Sequence, residues 1–282
     1  MNAIEINGLV KRYGDIEALR GVDLKVPEGA IFGLVGPNGA GKTTLIKSLV
    51  GSLRPTAGEV RVLGLDPHDE RARLRQRIGY MPQSSVLYED LSARANVSFF
   101  GSAHTSVDLS RRVAEVLEFT DLSGRADDPV HTYSGGMKHR ASLAAALVHE
   151  PELLLLDEPS AGVDPKLRRR FWEQFRELAG NGTTVFVTTH LMEEASLCDR
   201  IAILRQGRII ACDSPGAILR RGKVRLVVER NGEVLQTVVS DPGDVAKSLH
   251  AHGLSREVTS VSIDAEPMES VVLSLIDQEE NR

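Results

Sequence analysis

The 282 residues suffice for one large domain, or for one domain with a small appendage. Hydrophobic residues at 41% and charged residues at 26% are ordinary for a soluble globular chain, and a net charge of −5 lacks the basic surplus of nucleic-acid binders. No apolar run nears the ~20 residues that cross a bilayer, and no signal peptide is evident. The two cysteines, Cys198 and Cys212, fit free thiols in a reducing compartment. The chain is therefore expected in the cytoplasm, with any membrane association coming through a partner.

In chain order, residues 4–10, 21–26 and 58–63 alternate partly between apolar and polar, with turn residues between them, as short strands do. Residues 30–35 form a nearly continuous apolar run, as in a buried parallel strand. A glycine-rich turn ends it, and a helix is expected over about 42–50. Residues 71–77 read as a charged helix and 78–81 as a short strand. From 91 to about 150 the spacing turns helical, with Val113, Val116 and Leu117 on a 3.6-residue period and a second run over 141–148. Buried strands are expected again at 153–156 and 184–187. The helix between them, over 165–179, places Phe171, Phe175 and Leu178 on one face. Strand, helix, strand in this order requires a right-handed parallel crossover. Beyond Pro215 the pattern changes. Residues 224–228 and 234–239 are β-rich around Asn231-Gly232, a strong hairpin signal, while 244–250 and 268–276 read as helices. The expected division is a domain over 1–216, helical at about 84–150, and a small α+β extension over 217–282.

The turn after the first buried strand reads Gly36-Pro37-Asn38-Gly39-Ala40-Gly41-Lys42-Thr43 and fits G-x-x-x-x-G-K-[ST] without mismatch. Its glycines let backbone N–H groups turn inward around phosphates, and the following helix N-terminus adds partial positive charge. Lys42 supplies a full charge to the β- and γ-phosphates, and the Thr43 hydroxyl can ligate Mg²⁺. Thr44 completes the expected nucleotide contacts. A second element, Leu153-Leu154-Leu155-Leu156-Asp157-Glu158, delivers Asp157 to the metal side of a nucleotide. Glu158 stands where a carboxylate can polarise an attacking water, though paired acids at a strand end also serve as helix caps.

Between these elements lies Tyr133-Ser134-Gly135-Gly136-Met137, and here the sequence resembles the ATP-binding domain of ABC transporters, whose signature is usually LSGGQ. The resemblance covers residues 1 to about 216. It implies a P-loop α/β ATPase core with an N-terminal antiparallel β region and a helical insertion. It implies an adenine-stacking role for Tyr13, a metal and coupling role for Gln83, and contact between the switch residue His190 and the γ-phosphate. It assigns residues 160–164, ending in Asp164, to the loop that communicates across a dimer. Tyr133 and Met137 depart from the signature and resemble the drug, antibiotic and sodium exporter branch, as does the extension near Glu266-Pro267-Met268-Glu269.

The resemblance further implies ATP and Mg²⁺ as ligands and two ATPase subunits, identical or paralogous, closing on ATP. Ser134, Gly135 and Gly136 of one subunit would face the nucleotide held by Lys42, Thr43, Gln83, Asp157, Glu158 and His190 of the other. A separate polytopic membrane permease would carry the cargo, with this chain on the cytoplasmic face of the cell membrane. No nucleic acid partner is expected. The alternative is a soluble ABC ATPase acting in translation or DNA repair, but such proteins usually carry two domains in one chain. Val86, Leu87 and Tyr88, with Phe99 and Phe100 nearby, are expected to form the groove that receives a helix of the permease.

Overall fold

A computed structural model describes residues 1–104, 108–231, 233–239, 244–251 and 258–280. The chain opens with a hairpin of β1 (Asn2–Tyr13) and β2 (Ile16–Pro27). It enters the core as β3 (Ile31–Val35), leaves through α1 (Lys42–Leu49) and returns as β4 (Ala57–Val62). Pairing of β4 with β1 completes an antiparallel sheet of order β2-β1-β4. After α2 (Arg71–Arg75) and β5 (Ile78–Met81) come three helices, α3 (Ala93–Ser102), α4 (Leu109–Phe119) and α5 (Gly135–Leu147). Then β6 (Leu153–Asp157), α6 (Pro165–Gly180) and β7 (Thr184–Thr189) form a parallel crossover. A short α7 (Met192–Ala195) precedes β8 (Arg200–Arg205) and β9 (Arg208–Asp213). The central sheet runs β5-β6-β7-β3-β8-β9, parallel except for β9.

Every residue of β3, β6 and β7 is buried, because this sheet is covered on both faces. The strand period of two divides the side chains between two cores. Phe32, Leu34, Leu153, Leu155 and Phe186 pack beneath the antiparallel sheet and α1, with the rings of Phe32 and Phe186 stacked at 5.7 Å. Ile31, Val35, Leu154, Leu156, Val185 and Val187 pack instead beneath the helices, where Phe171, Trp172 and Phe175 of α6 meet them. Helix starts follow their capping residues. Ser92 caps α3 by accepting from Ala95 N at 3.1 Å, and Asp164 caps α6, whose first residue is Pro165.

The end of the chain folds as α8 (Pro215–Leu219), β10 (Val224–Arg230), β11 (Glu233–Val239), α9 (Val245–Ala251), β12 (Val258–Ala265) and α10 (Met268–Glu280). The three strands make an antiparallel sheet of order β11-β10-β12. Arg230 stands opposite Glu233 across the β10–β11 hairpin; the expected turn at 231–232 falls partly on residue 232, which lies outside the described residues. Gly216, near which the sequence changes character, lies within α8. Met268, Val271, Val272 and Ile276 of α10 share a core with Ile218 of α8 and Ala211 of β9. The last helix thus returns to the main body. Among the described residues no helix is long and apolar enough to cross a membrane.

Candidate active site

The turn between β3 and α1 is threaded through a gap that admits no side chain at two positions. A Cβ on Gly36 would lie 2.3 Å from Leu204 O, and one on Gly41, at φ 111°, would lie 2.7 Å from Ala18 O. Gly36 N donates to Thr189 O at 3.3 Å, tying the turn to the end of β7. Pro37, Asn38, Gly39, Ala40, Gly41, Lys42, Thr43 and Thr44 line a cleft of about 260 Å³ that also touches Gln83 and Glu158. At its floor Lys42, 5% exposed, donates to Gly36 O at 2.8 Å and to Pro37 O at 3.2 Å, and pairs with Glu158 Oε1 at 3.2 Å.

The two carboxylates at the end of β6 have different surroundings. Asp157 is buried; its Oδ1 accepts from the Thr188 hydroxyl at 2.6 Å. Its Oδ2 is buried without a hydrogen-bond partner among the described residues. A buried carboxylate oxygen left in this condition is unfavourable unless a cation completes it, so the residues present fit a bound metal. Glu158 has φ 54°, a left-handed backbone that a non-glycine residue adopts only where its surroundings hold it. Its amide donates to Thr188 O and to the Thr188 hydroxyl, at 3.2 Å and 3.1 Å. Its Oε2 accepts from Gln83 Nε2 at 3.4 Å and lies 3.3 Å from His190 Nδ1. Five residues singled out from sequence, Lys42, Gln83, Asp157, Glu158 and His190, thus converge from four segments.

The remaining expected residues stand apart from that cluster. Ser134, Gly135 and Gly136 line a different cavity, of about 570 Å³, with Asp164 on its other wall. The Ser134 hydroxyl caps α5 by accepting from Met137 N at 3.4 Å. Asp164 Oδ1 accepts from Lys166 N and Leu167 N, both at 3.1 Å, so this carboxylate is occupied as a helix cap. Tyr133 is buried, and its hydroxyl donates to Arg125 O. Tyr13 is about half exposed, and Lys11 Nζ sits 5.1 Å over its ring.

The ABC transporter family matches residues 19–161, half of the chain. This chain belongs to that family. It is 40% identical over 267 residues to the daunorubicin resistance ATP-binding protein DrrA3 of Streptomyces coeruleorubidus, covering 94% of this chain and 81% of the relative. It is 39% identical over 274 residues to the Nod factor export ATP-binding protein I of Burkholderia orbicola (strain AU 1054), covering 94% and 88%. Among solved structures it resembles the dimeric post-hydrolysis state of the ATP-binding cassette MJ0796 bound to ADP and Pi. That likeness has a TM-score of 0.70 and 27% identity, and covers 75% of this chain and 98% of the other. The chain is an ATP-binding, ATP-hydrolysing subunit of the ABC type.

Two features of this ABC subunit are not foreseen from sequence. Thr188 and Thr189 anchor Asp157 and the segment that carries His190, and the trace of this in the sequence is a pair of threonines closing an apolar strand. The expected patch at 86–88 is also divided. Val86 and Tyr88 are 59% and 51% exposed, but Leu87 is buried in the core beside Val97. Leu87 is therefore a packing residue, because the turn alternates its side chains across the surface. Tyr88 packs edge-on against the exposed Phe99 at 5.1 Å.

Proposed function

We propose that two copies of this chain, or this chain and a paralogous subunit, clamp ATP between them and drive export through a separate membrane permease. The division of the site carries the reading. The P-loop and the carboxylates share one cleft, whereas Ser134, Gly135 and Gly136 line another that no P-loop residue reaches. The N-terminus of α5 offers orphan N–H groups and partial positive charge, but its own chain brings no phosphate there. A head-to-tail partner does, placing each signature turn over the other copy's nucleotide.

Phosphates entering at the N-terminus of α1 compete with Glu158 for the Lys42 ammonium. Once Lys42 turns to the β- and γ-phosphates, Glu158 keeps Gln83 and His190 as neighbours, and its freed oxygen can take a proton from the attacking water. Asp157, Thr43 and Gln83 are the residues that would hold Mg²⁺, which supplies positive charge to the β- and γ-oxygens when bound. His190, 46% side-chain exposed, can reach a γ-phosphate from the loop after β7. Tyr13 offers an open ring face for adenine at the edge of the β1–β2 hairpin.

Val86, Tyr88 and Phe99 supply an apolar surface for a cytoplasmic permease helix. Asn96 preorganises it: its Oδ1 accepts from Tyr88 N at 2.8 Å, and its Nδ2 donates to Tyr88 O at 2.9 Å and Ser92 O at 3.0 Å. That partner would hold the chain at the cytoplasmic face of the membrane. Relatives named for drug resistance and Nod factor export favour transport over a soluble role in translation or DNA repair. Subunit mixing tests the reading. Lys42→Ala and Gly136→Asp chains should each be inactive alone, yet regain ATPase activity when mixed, because one intact composite site forms per mixed dimer. A mixture as inactive as its components would refute a shared site.

A further inference from the structure

Behind the site stands a buried carboxylate that the mechanism above does not use. Glu194, in α7, is 1% exposed. Its Oε1 accepts from the Ser160 hydroxyl, and its Oε2 accepts from the Thr189 hydroxyl at 2.5 Å. Arg168 Nε lies 3.8 Å from Oε1 and supplies the opposite charge. Burying a carboxylate is unfavourable unless it is paired and hydrogen-bonded, and here both oxygens are engaged.

The two hydroxyls belong to the segments that carry the reacting groups. Ser160 lies two residues beyond Glu158, and Thr189 immediately precedes His190. Successive side chains of a strand point in opposite directions, and the end of β7 uses both. Thr188 binds Asp157 and receives the Glu158 amide on one side, while Thr189 reaches Glu194 on the other. The Thr189 hydroxyl also accepts from Leu191 N at 3.0 Å, which leaves its proton for Glu194. Ser160 in turn opens the loop 160–164, which packs against the signature turn: a Cβ on Gly136 would lie 3.1 Å from Gly162 O. A continuous chain of contacts therefore runs from the His190 segment through Glu194 to the wall of the signature cavity.

We infer that Glu194 is a positioning residue for hydrolysis, locking the Ser160–Asp164 loop to the His190 segment so that the two move as one. The inference rests on the composite-site reading above. Its chemistry is specific to a carboxylate, which accepts from two hydroxyls at once. Glutamine of the same shape presents one acceptor and one donor where two donors point, so one of the two bonds must break or reverse. The tie between the P-loop and this segment, Gly36 N to Thr189 O, is a backbone bond that the change leaves in place, so nucleotide capture should persist, whereas alignment of His190, Glu158 and the cross-dimer loop should be lost.

The test is steady-state ATPase and nucleotide binding by the full chain carrying Glu194→Gln, Ser160→Ala or both, with mixed Lys42→Ala and Gly136→Asp chains as control. Glu194→Gln should lower kcat by about tenfold or more while leaving KM and nucleotide Kd within about twofold. Ser160→Ala, which removes one of the same bonds at little structural cost, should show the same split even if Glu194→Gln folds poorly. The double variant should be no slower than the slower single, because both break one linkage. A Glu194→Gln or Ser160→Ala kcat within about twofold of wild type, or losses that multiply in the double variant, would overturn the inference. So would a loss of kcat that only tracks the unfolded fraction in a melting curve. If mixed Lys42→Ala and Gly136→Asp chains stayed inactive, the composite-site reading would fall first; regained activity in that mixture beside a normal Glu194→Gln would sink this inference alone.

Discussion

Acidification should weaken the contact between the helical insertion and the central sheet through one histidine. His149 follows α5, and its Nε2 is 3.0 Å from Ile78 O, so the N–H on Nε2 donates to that carbonyl. Its Nδ1 is buried without a partner among the described residues, and the ring stacks on His104 at 3.7 Å. Protonation would place a second N–H where no described residue accepts it. Burial, with the neighbouring His104, pushes the His149 pKa down from 6.5 to about 4. Because the folded value lies below the ordinary one, its contribution is fully present above pH 6.5 and is lost as the pH falls toward 4. The complete loss amounts to about 3 kcal/mol, and at pH 5.5 roughly 1.4 kcal/mol is already gone. For a chain of this size that lowers Tm by roughly 3 °C. Thermal unfolding of wild type and His149→Gln at pH 7.5 and 5.5 isolates the effect, since glutamine keeps a donor near Ile78 O but cannot titrate. The wild type should lose about 3 °C more than the variant. Equal losses in both proteins would refute the assignment.

Lys42→Ala should weaken nucleotide binding by roughly 30-fold, the loss of one charged contact of about 2 kcal/mol, as read by isothermal titration calorimetry. Glu158→Gln should keep that affinity and lose roughly 100-fold or more in kcat, because the amide cannot take the water's proton. Tyr88→Asp should leave the melting temperature and basal ATPase of the isolated chain nearly unchanged, within about 0.5 kcal/mol, yet release the permease on co-purification. Early melting would instead assign Tyr88 to packing, as Leu87 is assigned by its burial.

The fold was legible where periodicity was unambiguous. Residues 30–35 and 153–156 carry apolar runs that stop at Gly36 and Asp157, and they mark the fully buried central strands β3, which begins at Ile31, and β6, which runs on through Asp157. Strands β8 and β9 are not legible, because Ile201-Ala202-Ile203-Leu204 is too short for its period to separate helix from strand. The turn joining them was the usable signal: Gln206 at φ 46° and Gly207 at φ 79° make a two-residue hairpin. In β12 the alternation of Val261 and Ile263 with Ser260, Ser262 and Asp264 is a strand signal, but a short one with two large apolar residues, as befits an edge strand exposed along nearly its whole length. The candidate site was legible wherever one motif held its residues. Glu194 was not, because its partners Ser160 and Thr189 lie 34 and 5 residues away and meet it only after folding.

Light scattering on Glu158→Gln with and without Mg²⁺-ATP tests the central claim most directly. If each nucleotide is enclosed by the P-loop of one copy and the signature turn of the other, the 30.7 kDa monomer should double in mass only when ATP is added. A monomer under both conditions would contradict the account.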